Sequence, residues 1–197
     1  MPTQINGLPA HVLLIHVIVV LAPLGALFTV LSAVWPAARR RIGIVGPITT
    51  ALVLVFTPIT TNAGEWLEHK LEANGANKAI EKHADLGDTF LWYAIGLFVV
   101  SVGVWLWGRR RDAVAGPVRT KTTGEAAGDD AAERAGGGTA TLVRTDRRTA
   151  PESTGARVTA FVVGFVSVAV SVLVVWQVYR IGDSGAHAAW DYVHHLK

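Results

Sequence analysis

The chain has 197 residues, a net charge of +3 and a pI near 9.5, with 51% of its residues hydrophobic and no cysteine. The lack of thiols excludes disulfides, thiolate metal sites, cysteine-held iron–sulfur clusters and covalently attached c-type haem. A basic chain invites a nucleic-acid reading, but the basic residues stand in short groups beside long apolar runs. There they act as topology signals, and no nucleic-acid partner is expected.

The opening heptapeptide MPTQING has no basic residue of the kind that begins a secretory signal, and the apolar run after it is about twice a signal's usual length. The first run is therefore expected to stay in the chain. Residues 8–35 carry no formal charge, and residues 42–64, 89–108 and 158–179 are three more uncharged runs. Each exceeds the roughly 18 apolar residues that mark a membrane-spanning helix, so four spans in contact with a lipid bilayer are predicted.

Pro23, Pro47 and Pro58 fall inside spans and are expected to kink them, which neighbouring helices can accommodate in lipid. The second helix is expected to continue past its apolar run through EWLEHKLE and to stop at Asn74-Gly75, a helix C-terminal pair. The third then restarts with Asn77 as its N-cap. In an antiparallel hairpin turning near Gly75, His69 stands level with His83. The predicted helices run over about 8–35, 42–72 and 77–108 within a region 1–111.

Arg39, Arg40 and Arg41 follow the first span, and Arg109, Arg110 and Arg111 follow the third. The positive-inside rule places both groups in the cytoplasm and both chain ends outside. The loop between the second and third spans agrees, with three lysines against six carboxylates over residues 65–88. Trp66, Trp92, Tyr93, Tyr179 and Trp190 then mark the outer boundary, and Trp35, Trp105 and Trp107 the inner one.

Residues 112–156 are of a different material, rich in Gly, Ala, Thr and charges of both signs and almost free of aromatics. They cannot bury enough apolar surface to offset chain entropy, and read as a disordered cytoplasmic linker. Residues 157–197 hold the fourth span and an outer tail. The fold class expected is thus all-α: an integral membrane four-helix bundle, N-out and C-out, with the linker between helices three and four.

On this topology all seven histidines lie in the outer half or on the outer face: His11, His16, His69, His83, His187, His194 and His195. This one-sidedness is the main functional clue. His11 and His16 are five positions apart, so they point about 140° apart around a helix, with His16 about 7 to 8 Å deeper. An ionisable group at membrane depth normally faces the bundle interior, which makes His16 the expected inward ligand and His11 a boundary residue.

Glu65, Glu68 and His69 share one helical face and could share a cation with Asp88 and His187. His83, just ahead of the third span, has Gly87 one turn along its own helix, and the glycine leaves room for a flat macrocycle. Asp183 and His187 stand four apart in IGDSGAHAAW. Ser184 in GDSG lacks the strand–turn–helix setting of a serine nucleophile. Thr49, Thr50, Thr57, Thr60, Thr61 and Asn62 make the second span polar, although threonines readily bond their own helix.

The stretches LPAHVLLIHVIVVLAP (His11, His16), TNAGEWLE (Gly64, Glu65), HADLGDTF (His83, Gly87) and IGDSGAHAAW (Gly182, Gly185) resemble a family of small bacterial membrane proteins catalogued as domain of unknown function 2231. The resemblance covers the four spans and not the linker. It implies a four-helix protein of a bacterial plasma membrane, in a family with links to redox modules such as Rieske iron–sulfur domains, and hence a b-type haem. It departs from the family pattern at Asp183, where relatives carry a histidine.

The leading expectation is a membrane protein that binds haem b through two of His11, His16, His69 and His83 and passes electrons to an outer respiratory or redox partner. One alternative is a zinc, copper or iron site, or a proton-coupled one, built from imidazoles with Glu65, Glu68, Asp88 and His187. Another is a cofactor-free accessory subunit of a respiratory or envelope complex. An electron carrier or accessory protein is expected rather than a catalyst.

Overall fold

The computed structural model describes residues 4–5, 8–72, 78–114 and 154–195. A two-residue antiparallel pairing of Gln4–Ile5 with Leu8–Pro9 leads into the first helix. Five helices follow: α1 (Ala10–Val34), α2 (Pro36–Ile42), α3 (Val45–Glu72), α4 (Lys78–Val114) and α5 (Thr154–His195). All but α2 are long and apolar enough to cross a membrane. They form an all-α bundle in which α1 lies along α3 and α4 along α5, while contacts of α3 with α4 and of α1 with α5 close the ring.

The helices differ from the sequence reading at their ends, for local reasons. The basic segment after the first span is itself a short helix, α2, with Trp35 extended before it and Pro36 at its first position. A proline there has its φ preset and loses no intrahelical donor. Pro47 stands in the first turn of α3 for the same reason and need not kink it, whereas Pro23 and Pro58 lie inside α1 and α3.

Helix α4 runs on beyond residue 108 and carries Arg109, Arg110 and Arg111 in its last turns. Helix α5 continues unbroken through Gly182 and Gly185, so IGDSG is helical. The expected stop pair Asn74-Gly75, the cap Asn77 and residues 115–153 of the expected linker lie outside the described residues.

The bundle is inverted relative to a water-soluble one. Its exterior is apolar, with Val20, Leu27, Trp92, Val99, Phe161, Phe165 and Trp176 all exposed. Lipid solvates such side chains, so helix association relies on close packing and interhelical hydrogen bonds. In the buried cluster the alanines Ala22, Ala26 and Ala94 let the helices approach and sit with Ile18, Val53, Phe90, Leu97 and Val174.

Polar ties cross the interfaces. Ser171 Oγ donates to the Ala26 carbonyl at 3.2 Å. The buried Gln177 amide donates to the Leu86 carbonyl at 3.2 Å and to Thr89 Oγ1 at 3.0 Å. The α3 threonines bond within their own helix, as expected: Thr49, Thr50, Thr57, Thr60 and Thr61 each donate to the carbonyl four residues back. Their hydroxyls are thereby satisfied without a transported ligand.

Candidate functional site

Helices α1 and α4 begin at the same end of the bundle, and α3 and α5 finish there. His11 is the second residue of α1 and His83 the sixth of α4, so both reach the space enclosed by this end. His11 Nδ1 lies 3.0 Å from the Thr60 carbonyl of α3. His83 Nδ1 lies 3.1 Å from the Ile181 carbonyl of α5 and 3.1 Å from Ser184 Oγ, whose own hydroxyl donates to Ile181 at 2.9 Å.

A carbonyl can only accept, so in both imidazoles Nδ1 is the donor and Nε2 is not engaged by that carbonyl. This is the arrangement by which a ligating histidine is oriented: one ring nitrogen is held by a backbone carbonyl and the other is left for the ligand.

A glycine stands one turn after each accepting carbonyl, Gly64 after Thr60 and Gly185 after Ile181. A Cβ at Gly64 would come within 3.0 Å of His11 Nδ1, and one at Gly185 within 2.9 Å of His83 Cε1. Both glycines therefore make room for an imidazole on the facing helix. The two rings then meet edge to face, their centroids 6.2 Å apart and their planes at 88°.

Beside the rings is a cavity of about 60 Å³ with residues from all four long helices. Ile15, Ile18 and Val19 come from α1, Thr57, Thr60 and Thr61 from α3, Gly87 and Phe90 from α4, and Val178, Ile181 and Gly182 from α5. Apart from the two imidazoles no ionisable side chain lines it. The rest of the lining is aliphatic, aromatic, glycine and threonine.

The remaining candidates fall elsewhere. His16, expected to face inward, is exposed on the outside of α1, and its Nδ1 bonds the Val12 carbonyl of its own helix at 2.6 Å. The 140° between His11 and His16 lets only one of them face the bundle, and packing against Gly64 turns His11 inward. His69 is exposed on α3 beyond Gly64, as are Glu65 on α3 and Asp88 on α4, while Glu68 is half-buried.

His187 is exposed too, bonded through Nδ1 to the Asp183 carbonyl at 2.9 Å and close to its carboxylate at 3.7 Å. His16 and His187 thus bond back to their own helices, while His11 and His83 reach across to another. Among the described residues no three His, Asp or Glu side chains come close enough together to hold a metal ion. His194 closes with His195 the last turn of α5.

Sequence reasoning named both members of the pair but not what holds them. It read Gly87 as leaving room beside His83, and nothing lies within 4 Å of where a Gly87 Cβ would stand; what it did not name as the seat of His83 is Gly185 of α5. The roles of the Thr60 and Ile181 carbonyls and of Ser184 had no local signal beyond a glycine four residues on from the accepting position in two different helices. Compared with family models, curated proteins and solved structures, the chain finds no match in any of the three.

Proposed function

We propose that the chain is a multi-pass membrane electron carrier in which His11 and His83 would hold a b-type haem, close to the end of the bundle that faces outward. The observation that carries this reading is the pair of imidazoles, each oriented by a carbonyl and seated on a glycine of the facing helix.

The donor set fits a haem better than a bare ion. Zinc and similar ions need three or four protein ligands, whereas a haem iron is already held by its macrocycle and lacks only axial ones. His11 and His83 would be the residues that hold it, their ring centres 6.2 Å apart at this end of the bundle.

The walls are apolar, and Gly87 and Gly182 present open space where side chains would otherwise project. A cavity of about 60 Å³ has room for only a few waters, so a macrocycle requires the α1–α3 and α4–α5 pairs to part around it. The motifs behind the resemblance to the family called domain of unknown function 2231 converge on this place: His11, Gly64, His83, Gly87, Gly182 and Gly185 seat the rings or line the cavity.

A bound haem would supply one-electron transfer. The protein's part is to orient both imidazoles, to exclude water with the isoleucine, valine and phenylalanine walls, and to set the potential through burial and the two carbonyl hydrogen bonds. The short distance from His11 and His83 to their helix starts favours exchange with a partner at the outer surface. Arg39 to Arg41 and Arg109 to Arg111 at the other end support the N-out, C-out orientation, in a bacterial plasma membrane.

The test is an absorption spectrum of purified protein made with excess haem precursor, oxidised and then reduced. A reducible Soret band at one haem per chain is expected, and its loss in both His11→Ala and His83→Ala. A wild-type protein without the band, or mutants that keep it, would overturn the assignment.

A further inference from the structure

The opposite end of the bundle holds a second cavity of about 350 Å³, lined by Arg39, Arg40, Arg41, Arg109 and Asp112 around Gly108 and Trp105. Four guanidinium groups face one carboxylate there. Arg39 of α2 is the central member: it is only 9% exposed, and a Cβ at Gly108 of α4 would collide with its side chain. The glycine admits the arginine to the helix interface.

The surroundings of Arg39 leave it incompletely satisfied. Its guanidinium lies 5.2 Å from the Trp107 ring, and Arg111 stacks on the same ring at 4.9 Å. Its only described ion-pair distance, to Asp112, is 4.0 Å. Its Nε is buried with no hydrogen-bond acceptor among the described residues. Burial pushes its pKa below the ordinary arginine value, with Arg111 and Arg40 acting in the same direction and Asp112 against them.

A buried charged donor without an acceptor is costly, and a guanidinium fork matches the paired oxygens of a phosphate. Arg109 is held over Trp105 at 4.9 Å on the rim of the same cavity. Tryptophans at this level mark the membrane–water interface, where lipid phosphates lie. Basic pockets between membrane helices on the cytoplasmic side are suited to anionic headgroups.

We propose that this pocket binds the phosphodiester headgroup of an anionic membrane lipid, with Arg39 as the buried donor and Arg40 and Arg109 as the surface clamps. The proposal rests on the bundle lying in a membrane and is independent of any cofactor at the other end.

The experiment uses the full chain in zwitterionic nanodiscs, with binding of phosphatidylglycerol, phosphatidylcholine and inorganic phosphate each followed by native mass spectrometry and by the shift in thermal midpoint. Wild type is expected to bind phosphatidylglycerol and not phosphatidylcholine. The double variant Arg40→Gln/Arg109→Gln, at exposed positions that leave Arg39 in place, is expected to bind it roughly 30-fold more weakly, at about fivefold for each arginine. Arg180→Gln, at the other end of the bundle, should bind as wild type does.

Equal loss in Arg180→Gln, or no loss in the double variant, would show general surface charge and overturn the site. Equal binding of inorganic phosphate would overturn its assignment to lipid.

Discussion

His11 and His83 occupy equivalent positions in two helix pairs. Each donates Nδ1–H to a carbonyl one turn ahead of a glycine on the facing helix, and the two rings meet at 6.2 Å and 88°. Because α1 and α4 start at this end while α3 and α5 finish at it, the α1–α3 half and the α4–α5 half present their histidines to each other across the bundle axis.

The glycine seats give the sharpest test of that arrangement. Valine at Gly64 or Gly185 drives branched carbon into an imidazole already in contact, and is expected to cost about 1–3 kcal/mol of bundle stability, as overpacking does. It should also abolish haem binding. Alanine at Gly87, where a Cβ meets nothing within 4 Å, should leave stability unchanged or slightly raised. Thermal unfolding in detergent compares the three, and equal behaviour at Gly64, Gly185 and Gly87 would count against the seats.

Exposed histidines bonded to their own helices should play no part in ligation. His16→Ala and His187→Ala are therefore expected to keep the full Soret band. In His83→Ala, added imidazole should restore part of the lost absorbance, since it can fill the vacated volume and present a nitrogen. Restoration in His16→Ala after a loss there would point to the wrong ligand.

Gln177 links α5 to α4 through Leu86 and Thr89 from a fully buried position. Interhelical hydrogen bonds in membrane proteins are worth about 0.6 kcal/mol on average and up to about 1.7. Gln177→Leu keeps the volume and loses both bonds, so a loss of about 1 kcal/mol is expected in denaturant unfolding from mixed micelles. A variant as stable as wild type would show that the amide contributes nothing net.

The orientation can be read with single cysteines, because the chain has none of its own. Glu81→Cys, at an exposed position of α4 near the histidine end, should react with a membrane-impermeant maleimide on intact cells. Ala113→Cys, exposed beside the arginine cluster, should react only after permeabilisation. The reverse pattern would invert the topology and place the histidine pair inside.

The all-α class and the four spans were legible in residues 8–35, 42–64, 89–108 and 158–179, because the solvation of a helix by lipid depends on its own composition, and the basic end was legible in residues 39–41 and 109–111. Helical periodicity likewise required His11 and His16 to point in different directions. It did not say which of them would face the bundle, since that rotation is decided by the neighbouring helix: Gly64 receives His11, and His16 turns outward. For His83, the glycine one turn along its own helix was visible in the sequence, but the one that seats it, Gly185, lies about a hundred residues away on α5. Composition determines that a helix enters lipid; the close approach of small residues between helices determines which face it turns inward.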